Sequence, residues 1–153
     1  MKIMDIFRRE YIIEELKAKT KRDVLAELSS VIHCDNGTID REYMINTLLD
    51  REKLGSTGIG DGIAIPHGKL ADIDELIVTF GRSREGVDFE SMDGKPANLF
   101  FLLLAPESTT GLHLKALAKI SKMLKDGAFR KKLIEAKSKD ELYIIIADKD
   151  DAG

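Results

Sequence analysis

Arginine, glycine, small hydroxyls and histidine crowd into one stretch, Arg51-Glu-Lys-Leu-Gly-Ser-Thr-Gly-Ile-Gly-Asp-Gly-Ile-Ala-Ile-Pro-His67-Gly68. Gly55, Gly58, Gly60 and Gly62 rule out a continuing helix and leave backbone N–H groups free to face an anion. A histidine in such company is a general base, a metal ligand, a nucleophile, or a core residue with its nitrogens satisfied. Guanidinium, glycine amides and hydroxyls are anion chemistry, whereas metal sites gather more His, Cys or carboxylates at ligand spacing. Phosphate is the anion they suit. The loop is not a Walker A motif, because no Gly-Lys-Ser/Thr follows, and it is a poor dinucleotide fingerprint because it leads into a strand.

A phosphoryl group carried on the imidazole fits better, since a neutral histidine is a nucleophile near neutral pH. The expected arrangement has Nε2 of His67 attacking phosphorus in line while Arg51 and contacts at Ser56, Thr57 and Gly68 spread the charge. It calls for no metal and no organic cofactor. His113, near the start of a helix and at the edge of an apolar stripe, is the second candidate. It matters if Leu104-Ala105-Pro106 brings that helix beside His67, and is otherwise a core histidine. Arg51 has its own plainer reading, a cation completing the last turn of a helix. His33 beside Cys34 has nothing phosphate-like around it, and the lysines at 122–132 read as a solvated face.

The elements that must position these groups follow from periodicity. A first short strand is expected at 12–16, then a helix capped by Thr20 with Val24, Leu25, Leu28 and Val31 on one face, ending near 33–37. A second helix opens at Thr38, with Met44, Ile45, Leu48 and Leu49 apolar, and ends at Gly55. Strands are expected at 63–65, 76–80 and 97–105, the last apolar enough to be covered on both faces. Pro66 should stop ladder pairing just before His67. Arg84-Glu-Gly-Val and Met92-Asp-Gly-Lys-Pro read as turns. Three helices close the chain: one capped by Thr109 or Thr110, one at 128–136, and one from Ser138 through Ile146, with a frayed tail at 148–153. Helices, then strands, then helices imply an α/β fold, a three-layer α/β/α sandwich around a small mixed sheet.

The 153 residues suit one domain, 1–153, and 24 basic against 27 acidic residues give no pull toward nucleic acid. Cys34 is the sole cysteine, so no internal disulfide or zinc pair forms, which fits a reducing cytoplasm. The charged start lacks a signal-peptide core, and the run 99–105 is too short for membrane insertion.

The long 51–69 stretch closely resembles the active-site signature of enzyme IIA domains of the bacterial phosphoenolpyruvate-dependent phosphotransferase system (PTS), fructose/mannitol/nitrogen-regulatory class. Gly86-Val-Asp-Phe-Glu-Ser-Met-Asp-Gly-Lys-Pro, Leu103-Leu-Ala-Pro-Glu with Gly111-Leu-His-Leu, and Ser138-Lys-Asp-Glu-Leu-Tyr resemble it too. The resemblance implies a phosphotransferase in which His67 accepts a phosphoryl group from a histidine-containing phosphocarrier protein, supported by Arg51 and His113. The Gly-Ser-Thr-Gly-Ile-Gly loop looks most like the nitrogen-regulatory branch, whose phosphorylation state would control regulatory protein targets. A sugar-specific role would instead pass phosphate to a cysteine-bearing enzyme IIB. The surface at 61–69 is the expected docking face for the carrier.

Overall fold

The central hydrophobic strand organises the molecule in the computed structural model, which describes residues 2–109 and 111–152. In chain order the elements are a 3-10 turn (Ile3–Asp5), β1 (Phe7–Ile13), α1 (Lys21–Asp35), α2 (Arg41–Glu52), β2 (Gly58–Gly60), β3 (Ile63–Ala64), β4 (His67–Leu70), β5 (Ile77–Val87), β6 (Ala97–Pro106), α3 (Gly111–Leu124), α4 (Gly127–Glu135) and α5 (Lys139–Ala152). Strands run in the order β1-β5-β6-β3-β2, with β4 also paired to β6. Pairing is parallel for β1/β5, β3/β6 and β4/β6 and antiparallel for β5/β6 and β2/β3, a mixed sheet as expected.

Alternate residues of β6 feed two separate cores, which is why the strand is apolar throughout. Leu99, Phe101 and Leu103 pack with Ile120, Leu124, Phe129, Leu142 and Ile146 of α3, α4 and α5. Phe100, Leu102 and Leu104 pack with Leu25, Leu28, Met44 and Leu48 of α1 and α2. The helices thus form two layers with the sheet between them. Thr20 caps α1 as expected, its side chain accepting from the Asp23 N–H at 3.2 Å.

Several boundaries move, each for a physical reason. The first strand lies at Phe7–Ile13 instead of 12–16, because an edge strand carries Arg8, Arg9 and Glu10 in solvent and these charges hide its pattern. Arg84-Glu-Gly-Val is no turn but the far end of β5. Gly86, at φ 91°, supports an irregular register between Arg82 and Val87, where a glycine serves a bulge. The second helix begins at Arg41, after Asp40, because Thr38 is tied instead to the Asn36 side chain at 2.6 Å. Thr109 donates to the Pro106 carbonyl, and Thr110 lies outside the described residues.

The expected frayed tail is helical through Ala152. Asp150, fully buried, accepts the Ile3 and Met4 N–H groups at 3.1 and 3.0 Å and pairs with Lys119 at 3.5 Å. It caps the 3-10 turn and so holds the two ends of the chain together.

Candidate active site

Pro66 breaks the ladder without ending it. Ile63 and Ala64 pair with Leu99 and Phe100, the Pro66 carbonyl accepts the Leu103 N–H at 2.9 Å, and pairing resumes at once with His67 opposite Leu103. The expectation that pairing stops before His67 is therefore corrected: the histidine opens β4. The kink gives His67 its partner, since the ring turns back and Nδ1 lies 2.8 Å from the Ile65 carbonyl. A carbonyl only accepts, so Nδ1 carries the proton and Nε2 of the neutral ring is left with its lone pair free.

The next residue brings β4 against α2. A Cβ on Gly68 would come within 3.1 Å of the Thr47 methyl, so glycine permits the close approach that sets His67 beside Arg51. The Arg51 guanidinium donates to the Gly55 carbonyl at 2.9 Å, curling over the start of the glycine loop. It forms part of one pocket of about 390 Å³, lined by Thr47, Asp50, Arg51, Leu54, His67, Gly68, Lys69 and His113. His113 arrives from the first turn of α3, its ring centroid 5.6 Å from that of His67. The sequence condition on β6 and α3 is thus met, and His67, Arg51 and His113 converge.

Burial favours the neutral form of both rings. Burial holds His67 below the usual imidazole range, opposed by the Ile65 carbonyl and helped by the nearby Arg51 charge. Burial likewise lowers His113, with His67 and Lys69 adding repulsion. His113 is only 8 % exposed, and its Nδ1 finds no hydrogen-bond partner among the described residues. The ring therefore stands at the pocket wall with Nδ1 turned away from solvent.

Ser56 and Thr57, expected as phosphate contacts, stand outside this pocket. Ser56 Oγ donates to the Phe89 carbonyl at 2.8 Å and accepts from the Gly58 N–H at 3.0 Å. The Thr57 hydroxyl donates to Glu52, which also takes the Thr57 N–H at 3.1 Å. Both hydroxyls fasten the loop. Reading the sequence missed Lys69 as a pocket residue, although its spacing of two from His67 on β4 places it on the same strand face. His33 is tied to the Ile39 carbonyl at 2.8 Å.

A larger cleft of about 650 Å³ lies against α1 and α2, but its cations are matched: Lys21 pairs with Glu52 and Glu90, Arg22 with Glu42, and Lys53 with Asp50. The histidine pocket has the more open chemistry. Among the described residues no group of three His, Cys, Asp or Glu side chains is placed to hold a metal, and no helix is long and apolar enough to cross a membrane.

Comparison with known proteins adds a family. The pattern of the family described as "Phosphoenolpyruvate-dependent sugar phosphotransferase system, EIIA 2" matches residues 5–149. A nitrogen regulatory protein of Bradyrhizobium diazoefficiens is 42% identical over 147 residues, covering 96% of this chain and 95% of that protein. The fructose-specific EIIABC component of Bacillus subtilis is 41% identical across 98% of this chain, which spans only 24% of that longer protein. Among solved structures, the nitrogen regulatory protein IIA-Ntr of Neisseria meningitidis superposes with a TM-score of 0.88 at 34% identity, covering 94% of this chain and 98% of that one.

Proposed function

The chain belongs to the EIIA 2 family of the phosphoenolpyruvate-dependent sugar phosphotransferase system and is a phosphotransferase domain; from that premise we propose that His67 is its phosphoryl acceptor. The observation that carries this is the Nδ1 hydrogen bond to Ile65, which leaves Nε2 as the free nucleophile in a pocket shared with Arg51 and His113. In the step, a new P–N bond forms at Nε2 as the P–N bond to a histidine of the carrier protein breaks, and the departing imidazole keeps the electron pair. Arg51, with Lys69 close by, offsets charge on the transferred oxygens, His113 meets one of them, and the Gly68 backbone borders the group. Leu54 on the pocket rim and Leu112 and Leu114 beside His113 are exposed, an apolar border supporting this as the face where the carrier docks, in the cytoplasm.

The downstream role is regulatory: a charge appearing at one surface admits or rejects a protein target. The match to the nitrogen regulatory protein over nearly the full length of both chains favours that reading. The identity with the fructose-specific component favours a second, delivery to a cysteine-bearing EIIB domain during sugar uptake.

Incubation with phosphoenolpyruvate and the general carrier proteins, followed by alkaline mass mapping, should place the label on His67. His67→Ala should stay folded and take none; a fully labelled variant overturns the assignment. Loss of label to a cysteine-bearing EIIB domain in the presence of fructose would decide for sugar delivery.

A further inference from the structure

Glu52 lies beside Arg51 yet points away from the pocket. It is 8 % exposed, and its carboxylate receives three donors: Lys21 Nζ at 3.0 Å, the Thr57 N–H at 3.1 Å and the Thr57 hydroxyl. Such a carboxylate fixes the Thr57 peptide in one orientation. On the far side of that residue, the Thr57 carbonyl accepts the Ile65 N–H at 3.0 Å, and the Ile65 carbonyl in turn accepts Nδ1–H of His67 at 2.8 Å. We infer that Glu52 is a positioning residue for His67, acting through the Thr57 and Ile65 peptides to decide which imidazole nitrogen keeps the proton.

The Thr57 N–H and C=O lie on successive peptide planes joined at its Cα. With one held by Glu52 and the other by the Ile65 N–H, the φ and ψ of Thr57 are fixed between them, which in turn seats Ile65 and the carbonyl that meets the ring. Lys21 anchors the start of this line. It also pairs with Glu90 at 2.9 Å and sits 4.8 Å from the centre of the Phe89 ring, the residue whose carbonyl takes the Ser56 hydroxyl. The glycine loop is thus tied on both sides of Thr57, and the buried Glu52 at the end of α2 faces the residue that leads to His67.

This inference rests on His67 being the nucleophile, but one of its readouts does not need phosphorylation. The tautomer of His67 is read by nitrogen-15 NMR of the unphosphorylated protein, and phosphoryl transfer is timed with the phosphorylated histidine-containing carrier. In Glu52→Gln, the single Nδ1–H form should give way to a mixture of tautomers. The saturating transfer rate should fall by about tenfold or more while the KM for the carrier holds. Thr57→Val, which keeps the N–H but loses the hydroxyl, should move both readouts the same way by less, and it carries the test if Glu52→Gln does not fold. An unaltered tautomer in the folded variant overturns the inference, whether or not the rate falls. Absence of label on wild-type His67 would instead refute the phosphoryl-acceptor reading, and the tautomer shift would still report on Glu52.

Discussion

Arg82 and His113 are both polar side chains shut away from water, 1 % and 8 % exposed, yet the fold treats them oppositely. Arg82 donates to four main-chain carbonyls: Glu14 at 3.0 Å, and Leu133, Ile134 and Ala136 at the end of α4 at 2.8, 3.4 and 2.6 Å. His113 leaves Nδ1 without a partner among the described residues. The first pattern is how a fold ties a helix C-terminus to a sheet, matching a cation to orphan carbonyls and the helix dipole. The second costs the fold a hydrogen bond and keeps the ring at the wall of the pocket that holds His67. Polar burial here marks architecture in one place and, on the function proposed above, chemistry in the other.

The contrast breaks if the two respond alike to substitution. The largest effect is expected for Arg82→Met, which strands the Glu14 and Leu133 carbonyls while Arg84 still donates to those of Ile134 and Ala136, and should lower unfolding stability by about 3 kcal/mol in denaturant titration. The same variant, assayed well below its melting temperature, should still accept phosphate at His67. His113→Leu should do the reverse. It removes a nitrogen that had no partner, so stability should stay within about 1 kcal/mol of wild type, while phosphoryl transfer slows by about a hundredfold. Equal stability losses in the two variants would erase the distinction.

A smaller effect sharpens it. Burial holds both His67 and His113 below the ordinary value of 6.5, so the folded protein binds fewer protons than the unfolded chain as pH falls through that range. Their contribution to stability is whole above 6.5 and is lost progressively toward the lowered values. Melting temperature should therefore drop on mild acidification, and less steeply in His113→Leu. Phosphoryl acceptance, whose proposed nucleophile is the neutral ring of His67, should persist as pH passes below 6.5.

What could be read directly from the chain was whatever rests on local chemistry. The Thr20 cap, the doubly buried β6 and the glycine loop each follow from residue type and local spacing, and the loop's sixteen-residue span from Arg51 to His67 is short enough to bring the two together. What could not be read depends on partners distant in sequence. Asp150 looks like one more charge in an acidic tail until Ile3 and Met4, at the other end of the chain, supply their N–H groups. Ser56 and Thr57 look like phosphate ligands until Phe89 and Glu52 claim their hydroxyls. Arg84-Glu-Gly-Val looks like a turn because a bulge and a turn both call for glycine, and only the pairing of Val87 with Ala97 separates them.

The group that holds the proton on His67 is an oxygen of the main chain, the Ile65 carbonyl. Drift at position 65 can alter the size of the side chain without deleting that acceptor. Only a change in the path of the backbone, such as loss of the stiff ring of Pro66 or of the Glu52 hold on Thr57, would remove it. The tautomer is thereby insulated from single substitutions at the residue that sets it, and its inheritance is tied to the shape of the strand.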